Sequence, residues 1–128
     1  MIASLDHLVL TVADLDATVA FYCGVLGMEH VRFGERHAVG FGTQKINLHV
    51  AGREFEPKSA CPTPGSGDLC FLLDVPLEDA QARLVAAGIS VEEGPVNRTG
   101  ATGPLRSLYV RDPDGNLVEL STPDPART

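Results

Sequence analysis

The sequence predicts an α+β fold built from two β-α-β-β-β modules. Three observations carry that prediction. The order strand, helix, three strands can be read twice along the chain. Twenty residues separate His7 from Gly27, and twenty separate Asp68 from Gly88. Between the halves, residues 51–67 carry three prolines and several glycines, as a linker would. A repeat of about 60 residues is too long for a solenoid unit and marks a duplicated module. The expected layout is one domain, 1–128, with module one at about 4–50 and module two at about 68–122.

"LDHLVLTV" alternates, with Leu8, Leu10 and Val12 on one face and His7, Val9 and Thr11 on the other, as in a strand. Asp14 is placed to cap a helix whose apolar residues Leu15, Val19, Tyr22 and Leu26 recur at helical spacing, and Gly27 stops it. "MEHVRF", "HAVGF" and "KINLHV" read as three strands, with turns at Gly34–Glu35 and at residues 42–44. In the second half "DLCFLLDV" is a strand and "PLEDAQARLVAAG" a helix, opened by Pro76 and closed by Gly88. "ISVEE", "LRSLYV" and "NLVELS" complete the module, the last two joined by the turn "RDPDGN". "GPVNRTGATGP" reads as a flexible loop able to close over a ligand.

Composition narrows the function. The chain has 128 residues, 44% of them hydrophobic, and a net charge of −7. Its ten basic residues are scattered, which argues against nucleic acid and anionic membrane surfaces. The first apolar stretch is interrupted by Asp14 and Asp16, so neither a signal segment nor a membrane span is expected. Three cysteines without C-x-x-C spacing suggest neither a disulfide framework nor a thiolate zinc site, and the expected compartment is the cytoplasm.

"LDHLVLTVADLDATVAFYCGVLGM" near the start and "SLYVRDPDGNLVEL" near the end resemble the vicinal oxygen chelate superfamily of glyoxalases, bleomycin-binding proteins and dioxygenases. The middle, "KINLHVAGREFEPKSACPTPGSGDLCF" with "EEGPVNRTGATGP", looks closest to its glyoxalase-domain-containing, virulence-protein-like branch. The resemblance implies an open, cupped eight-stranded mixed sheet, a homodimer, and one divalent metal ion held by the first and last strand of each module.

Four residues stand as candidate metal ligands. His7 faces away from the helix side of its strand; the alternative is a hydrogen-bonded core histidine. Glu119 lies between Val118 and Leu120, so its carboxylate points inward, toward a cation or toward Arg106 or Arg111 in a salt bridge. On the fourth strand Asn47 and His49 share a face, and imidazole, the better transition-metal ligand, favours His49, with Asn47 left as a substrate contact. Asp68 stands where the family commonly has histidine, either as a hard ligand or as a cap at the strand start. The set suits Ni, Mn, Fe, Co or Zn.

Tyr109 and Arg98 are candidate substrate contacts, the first for a substrate oxygen and the second for an anion; a core aromatic and a solvated arginine are the alternatives. Glu119 is also the first candidate to move a substrate proton, and so a candidate catalytic residue. The function expected is a metal-dependent, glyoxalase-like lyase or isomerase acting on a small molecule with adjacent oxygens. Ring-cleaving dioxygenase, thiol transferase and metal-free bleomycin-like binding protein are the alternatives.

Overall fold

The expected alternation in residues 7–12 becomes the first strand of a computed structural model that describes residues 1–126. The chain divides into two compact units, residues 1–67 with 113–115, and residues 68–112 with 116 onward. Each unit is built on a four-stranded mixed sheet, so the eight strands fall four to a module.

In the first unit, β1 (His7–Val12) is followed by α1 (Leu15–Val19), which runs on as a π-helical stretch at Ala20–Val25. Asp14 caps α1, its side chain accepting from the Ala17 amide at 3.0 Å, and Gly27 ends the segment at φ 79°. Then come β2 (Glu29–Phe33), β3 (Arg36–Phe41) and β4 (Gln44–Val50), and the sheet order is β1-β4-β3-β2. β1 and β4 run parallel, with Leu10 beside Leu48. Leu10, Val12, Val39, Ile46 and Leu48 are buried and share one face. His7, Val9, Thr11, Asn47 and His49 share the other.

The second unit repeats the plan with β5 (Asp68–Leu72), α2 (Leu77–Ala86), β6 (Glu93–Gly100), β7 (Gly103–Arg111) and β8 (Leu117–Pro123), in the order β5-β8-β7-β6. Leu77, Ala80 and Leu84 form the buried side of α2, which packs on β7 and β8. Leu108, Val110, Val118 and Leu120 are the buried apolar residues of those two strands. Removing this much apolar surface from water stabilises the unit. The "RDPDGN" turn is closed by a reciprocal clamp in which the Asn116 amide and side chain both donate to the Asp112 carboxylate, at 2.9 and 2.7 Å.

One expectation is corrected here. "ISVEE" is not the sixth strand; the strand is Glu93–Gly100, so the segment read as a flexible loop is half of a β6–β7 hairpin. Pro95 and the glycines masked it. β6 is the edge of its sheet, where a missing N–H costs little, and a bulge between Glu93 and Val96 absorbs the proline. Gly94 makes the close approach possible: at φ 114°, a Cβ there would lie 2.5 Å from the Ser107 carbonyl oxygen.

Candidate functional site

Each sheet turns one apolar face inward and leaves a polar face opposite, and every candidate residue lies on a polar face. On the first sheet, His7 starts β1. Its Nδ1 is 2.7 Å from Asp6 Oδ1, a contact that selects the tautomer protonated at Nδ1 and leaves the Nε2 lone pair as an acceptor. His7 pairs with Lys45, Val9 with Asn47, and Thr11 with His49.

That register sets His49 apart from His7. Relative to His7 it is displaced four residues along the strands, about 13 Å at strand rise, too far for two imidazoles of this sheet to meet at one ion. His49 is instead buried, 8% exposed, with its ring edge-to-face against Phe55 at 5.7 Å between centroids. The Arg36 guanidinium lies over the other ring of that contact, 4.4 Å from the Phe55 centroid. Asn47 is only two residues from the His7 position, and its Oδ1 is buried with no hydrogen-bond partner. A buried amide oxygen without a donor is costly and is suited to a cation or a ligand N–H.

The second sheet places its residues in the same phase. Asp68 pairs with Leu117 and Cys70 with Glu119, so Glu119 lies two residues on from the partner of Asp68, as Asn47 does from the partner of His7. Across β7, Tyr109 faces Glu119 and Ser107 faces Ser121. Asp68 is exposed at the start of β5.

The Glu119 carboxylate is surrounded by neutral donors. Ser107 Oγ donates to Oε2 at 2.7 Å and Ser121 Oγ reaches the same oxygen at 3.2 Å. The Tyr109 hydroxyl, on the same face, accepts from Arg98 Nε at 2.9 Å. Neither arginine expected as a salt-bridge partner pairs with Glu119. Arg111 holds Glu92 at 3.0 Å, which lowers the Glu92 carboxyl, and Arg106 sits on the opposite face of β7. Burial pushes the Tyr109 phenol up, and the Arg98 bond partly offsets this. Arg98 stands on β6 and is committed to Tyr109 and to Glu93, the latter at 3.2 Å.

Sequence reasoning missed Ser107, Ser121 and Cys70 as companions of Glu119. The signal was present, since Ser107 lies two residues before Tyr109 and Ser121 two after Glu119, which puts the hydroxyls on the same faces. Away from this group, the ring nitrogens of His30 and His37 lie 2.9 Å apart across β2 and β3.

The residues present fit a hard divalent cation in one respect and limit it in another. Each sheet carries its own pair of N/O groups of the type that suits such a cation, His7 with Asn47 on the first and Asp68 with Glu119 on the second. Among the described residues, however, no three His, Cys, Asp or Glu side chains gather to hold an ion.

Residues 4–120 match the model of the Glyoxalase/Bleomycin resistance protein/Dioxygenase superfamily. The chain belongs to that superfamily. Over 122 residues it is 56% identical to virulence protein STM3117 of Salmonella typhimurium, covering 94% of this chain and 85% of that protein. It is 58% identical to glyoxalase domain-containing protein RDO1 of Mycosarcoma maydis, covering 94% of this chain and 69% of that protein. The crystal structure of the Salmonella protein matches with a TM-score of 0.93 at 55% identity, over 95% of this chain and 98% of that one. More distant relatives, 26–27% identical, bear the names metallothiol transferase FosB, probable lactoylglutathione lyase and catechol-2,3-dioxygenase. No helix among the described residues is long and apolar enough to cross a membrane.

Proposed function

We propose that this chain is a metal-dependent enzyme of glyoxalase type, a lyase or isomerase acting on a small substrate with two adjacent oxygens. The observation that carries the reading is Glu119, a carboxylate on the polar face of a sheet whose near neighbours there, Ser107, Ser121 and Tyr109, are all neutral. An anion in that setting calls for a cation. Each sheet offers one donor pair for such an ion, His7 Nε2 with Asn47 Oδ1 on the first and Asp68 with Glu119 on the second. Asn47 takes the place first given to His49. The reading gives the working protein as a homodimer, as its resemblance to the superfamily implies.

A bound cation of this kind supplies Lewis-acid polarisation of the substrate oxygens. The chain's own residues do the rest. Tyr109 offers its hydroxyl to a substrate oxygen, and Arg98 behind it orients that hydroxyl and adds positive charge for an anionic group. Glu119 and Asp68 are the carboxylates able to take or return a proton.

The test begins with protein purified without chelator, whose metal content is measured directly. The reading expects about one Ni, Mn, Fe, Co or Zn per chain. Conversion of a hemithioacetal is then compared with oxygen uptake on a catechol. Protein that carries no metal and takes up no added Mn²⁺ or Ni²⁺ ends this reading in favour of a metal-free binding role.

A further inference from the structure

Glu119 is held by hydroxyls whose protons can be counted. Ser107 Oγ lies 2.7 Å from Glu119 Oε2 and 2.7 Å from Ser121 Oγ, and Ser121 Oγ lies 3.2 Å from the same Oε2. Both serines are fully buried, at 0% exposure, so solvent supplies nothing to them. Two hydroxyls have two protons for three contacts. At 2.7 Å the serine–carboxylate contact needs a proton between the oxygens, and only Ser107 can give it. Ser121 must then donate to Ser107, and its 3.2 Å approach to Oε2 is a secondary attraction. The Ser121 oxygen is left to accept from the Cys70 thiol at 3.3 Å. The chain therefore has one direction, from Cys70 through Ser121 and Ser107 to Glu119.

The placement is unusual for strands. Serine has little preference for them, and a buried hydroxyl is costly unless bonded. Yet Ser107 and Ser121 are directly opposed on the two central strands, two pairs along from Tyr109 and Glu119 and so on the same face. Their hydroxyls find a complete set of partners only while Glu119 keeps its present orientation.

We infer that Ser107 and Ser121 are positioning residues that pin Oε2 of Glu119 and so fix the orientation in which its carboxylate meets a divalent cation. This rests on the cation reading of Glu119 given above. Rotation of Glu119 would strand the Ser107 proton in a buried site, which makes the clamp selective for one carboxylate geometry.

The test uses the full chain as wild type, Ser107→Ala, Ser121→Ala and Ser107→Thr. Each is titrated with Mn²⁺ by calorimetry and crystallised without metal, and thermal melts verify folding. Each alanine variant should lose about tenfold or more in Mn²⁺ affinity, and threonine, which restores the hydroxyl, should recover most of that loss. In the metal-free crystals Glu119 should occupy its single orientation in wild type and more than one in the alanine variants. If Ser107→Ala does not fold, Ser121→Ala carries the same test. Equal Mn²⁺ affinity in all variants with Glu119 unmoved overturns the inference. A wild type that takes up no Mn²⁺ removes the cation reading, and the crystals then decide the clamp alone: one unchanged orientation in the alanine variants overturns it.

Discussion

Asn47 and Glu119 occupy matching places in two separate sheets. Asn47 pairs with Val9, two residues on from His7, and Glu119 pairs with Cys70, two residues on from Asp68. The duplicated module thus presents one side-chain pair twice, His7 with Asn47 and Asp68 with Glu119, whereas His49 matches Ser121. This predicts that Asn47→Ala lowers Mn²⁺ affinity about tenfold, by analogy with other ligand-shell losses, and that Asn47→Asp raises it. His49→Ala should leave Mn²⁺ binding nearly intact while costing about 2 kcal/mol of stability, because it removes a buried ring from Phe55. Calorimetric titration and urea unfolding separate the two effects.

Gly94 is where β6 is drawn against β7. Alanine there would have to hold φ 114° with its Cβ 2.5 Å from the Ser107 carbonyl oxygen. Gly94→Ala should therefore cost about 2 kcal/mol, measured by urea unfolding, and should weaken hydrogen-exchange protection along the hairpin. Unchanged stability would mean that β6 does not lie as described.

Tyr109 balances opposing influences. Burial raises its phenol, the Arg98 bond lowers it, and Glu119 raises it again. Arg98→Gln removes the lowering influence, so ionisation of Tyr109 should move to higher pH. Ring signals of ¹³C-labelled tyrosine followed from neutral to alkaline pH would record the change; a move to lower pH would contradict the Arg98–Tyr109 contact.

The His30–His37 pair makes stability depend on mild acid. Burial lowers the His37 pKa below the ordinary imidazole value of 6.5, neighbouring His30 and Arg32 add to this, and Asp16 opposes it. A histidine with a lowered folded pKa binds more protons when unfolded, so stability rises with pH across the interval between the two values. The contribution is fully present above about pH 6.5 and is lost as the pH falls through the lower folded value. Melting temperature should decline over that interval in wild type and decline less in His37→Gln.

Local chemistry was legible in the residues themselves. The caps and stops at Asp14, Gly27 and Gly88 depend on one residue's φ or one side chain, and the structure shows each of them. Strand β6 was not legible, because Pro95 and its flanking glycines look like a loop until a neighbouring strand shows that the proline sits at an unpaired edge. The pairing of His30 with His37 was hidden for a related reason. Seven residues apart in sequence, they meet only once the hairpin register is set.

By itself the sequence determined the duplicated module and which side chains of a strand share a face, since alternation of side chains is a property of a single extended chain. Only the tertiary structure decided which residues on a face are neighbours. Alternation assigns Asn47 and His49 to the same side and cannot rank them; strand register does, by bringing Asn47 near His7 and sending His49 to Phe55. The same limit concealed the serines behind Glu119, whose hydroxyls join one carboxylate because two distant strands pair in one alignment.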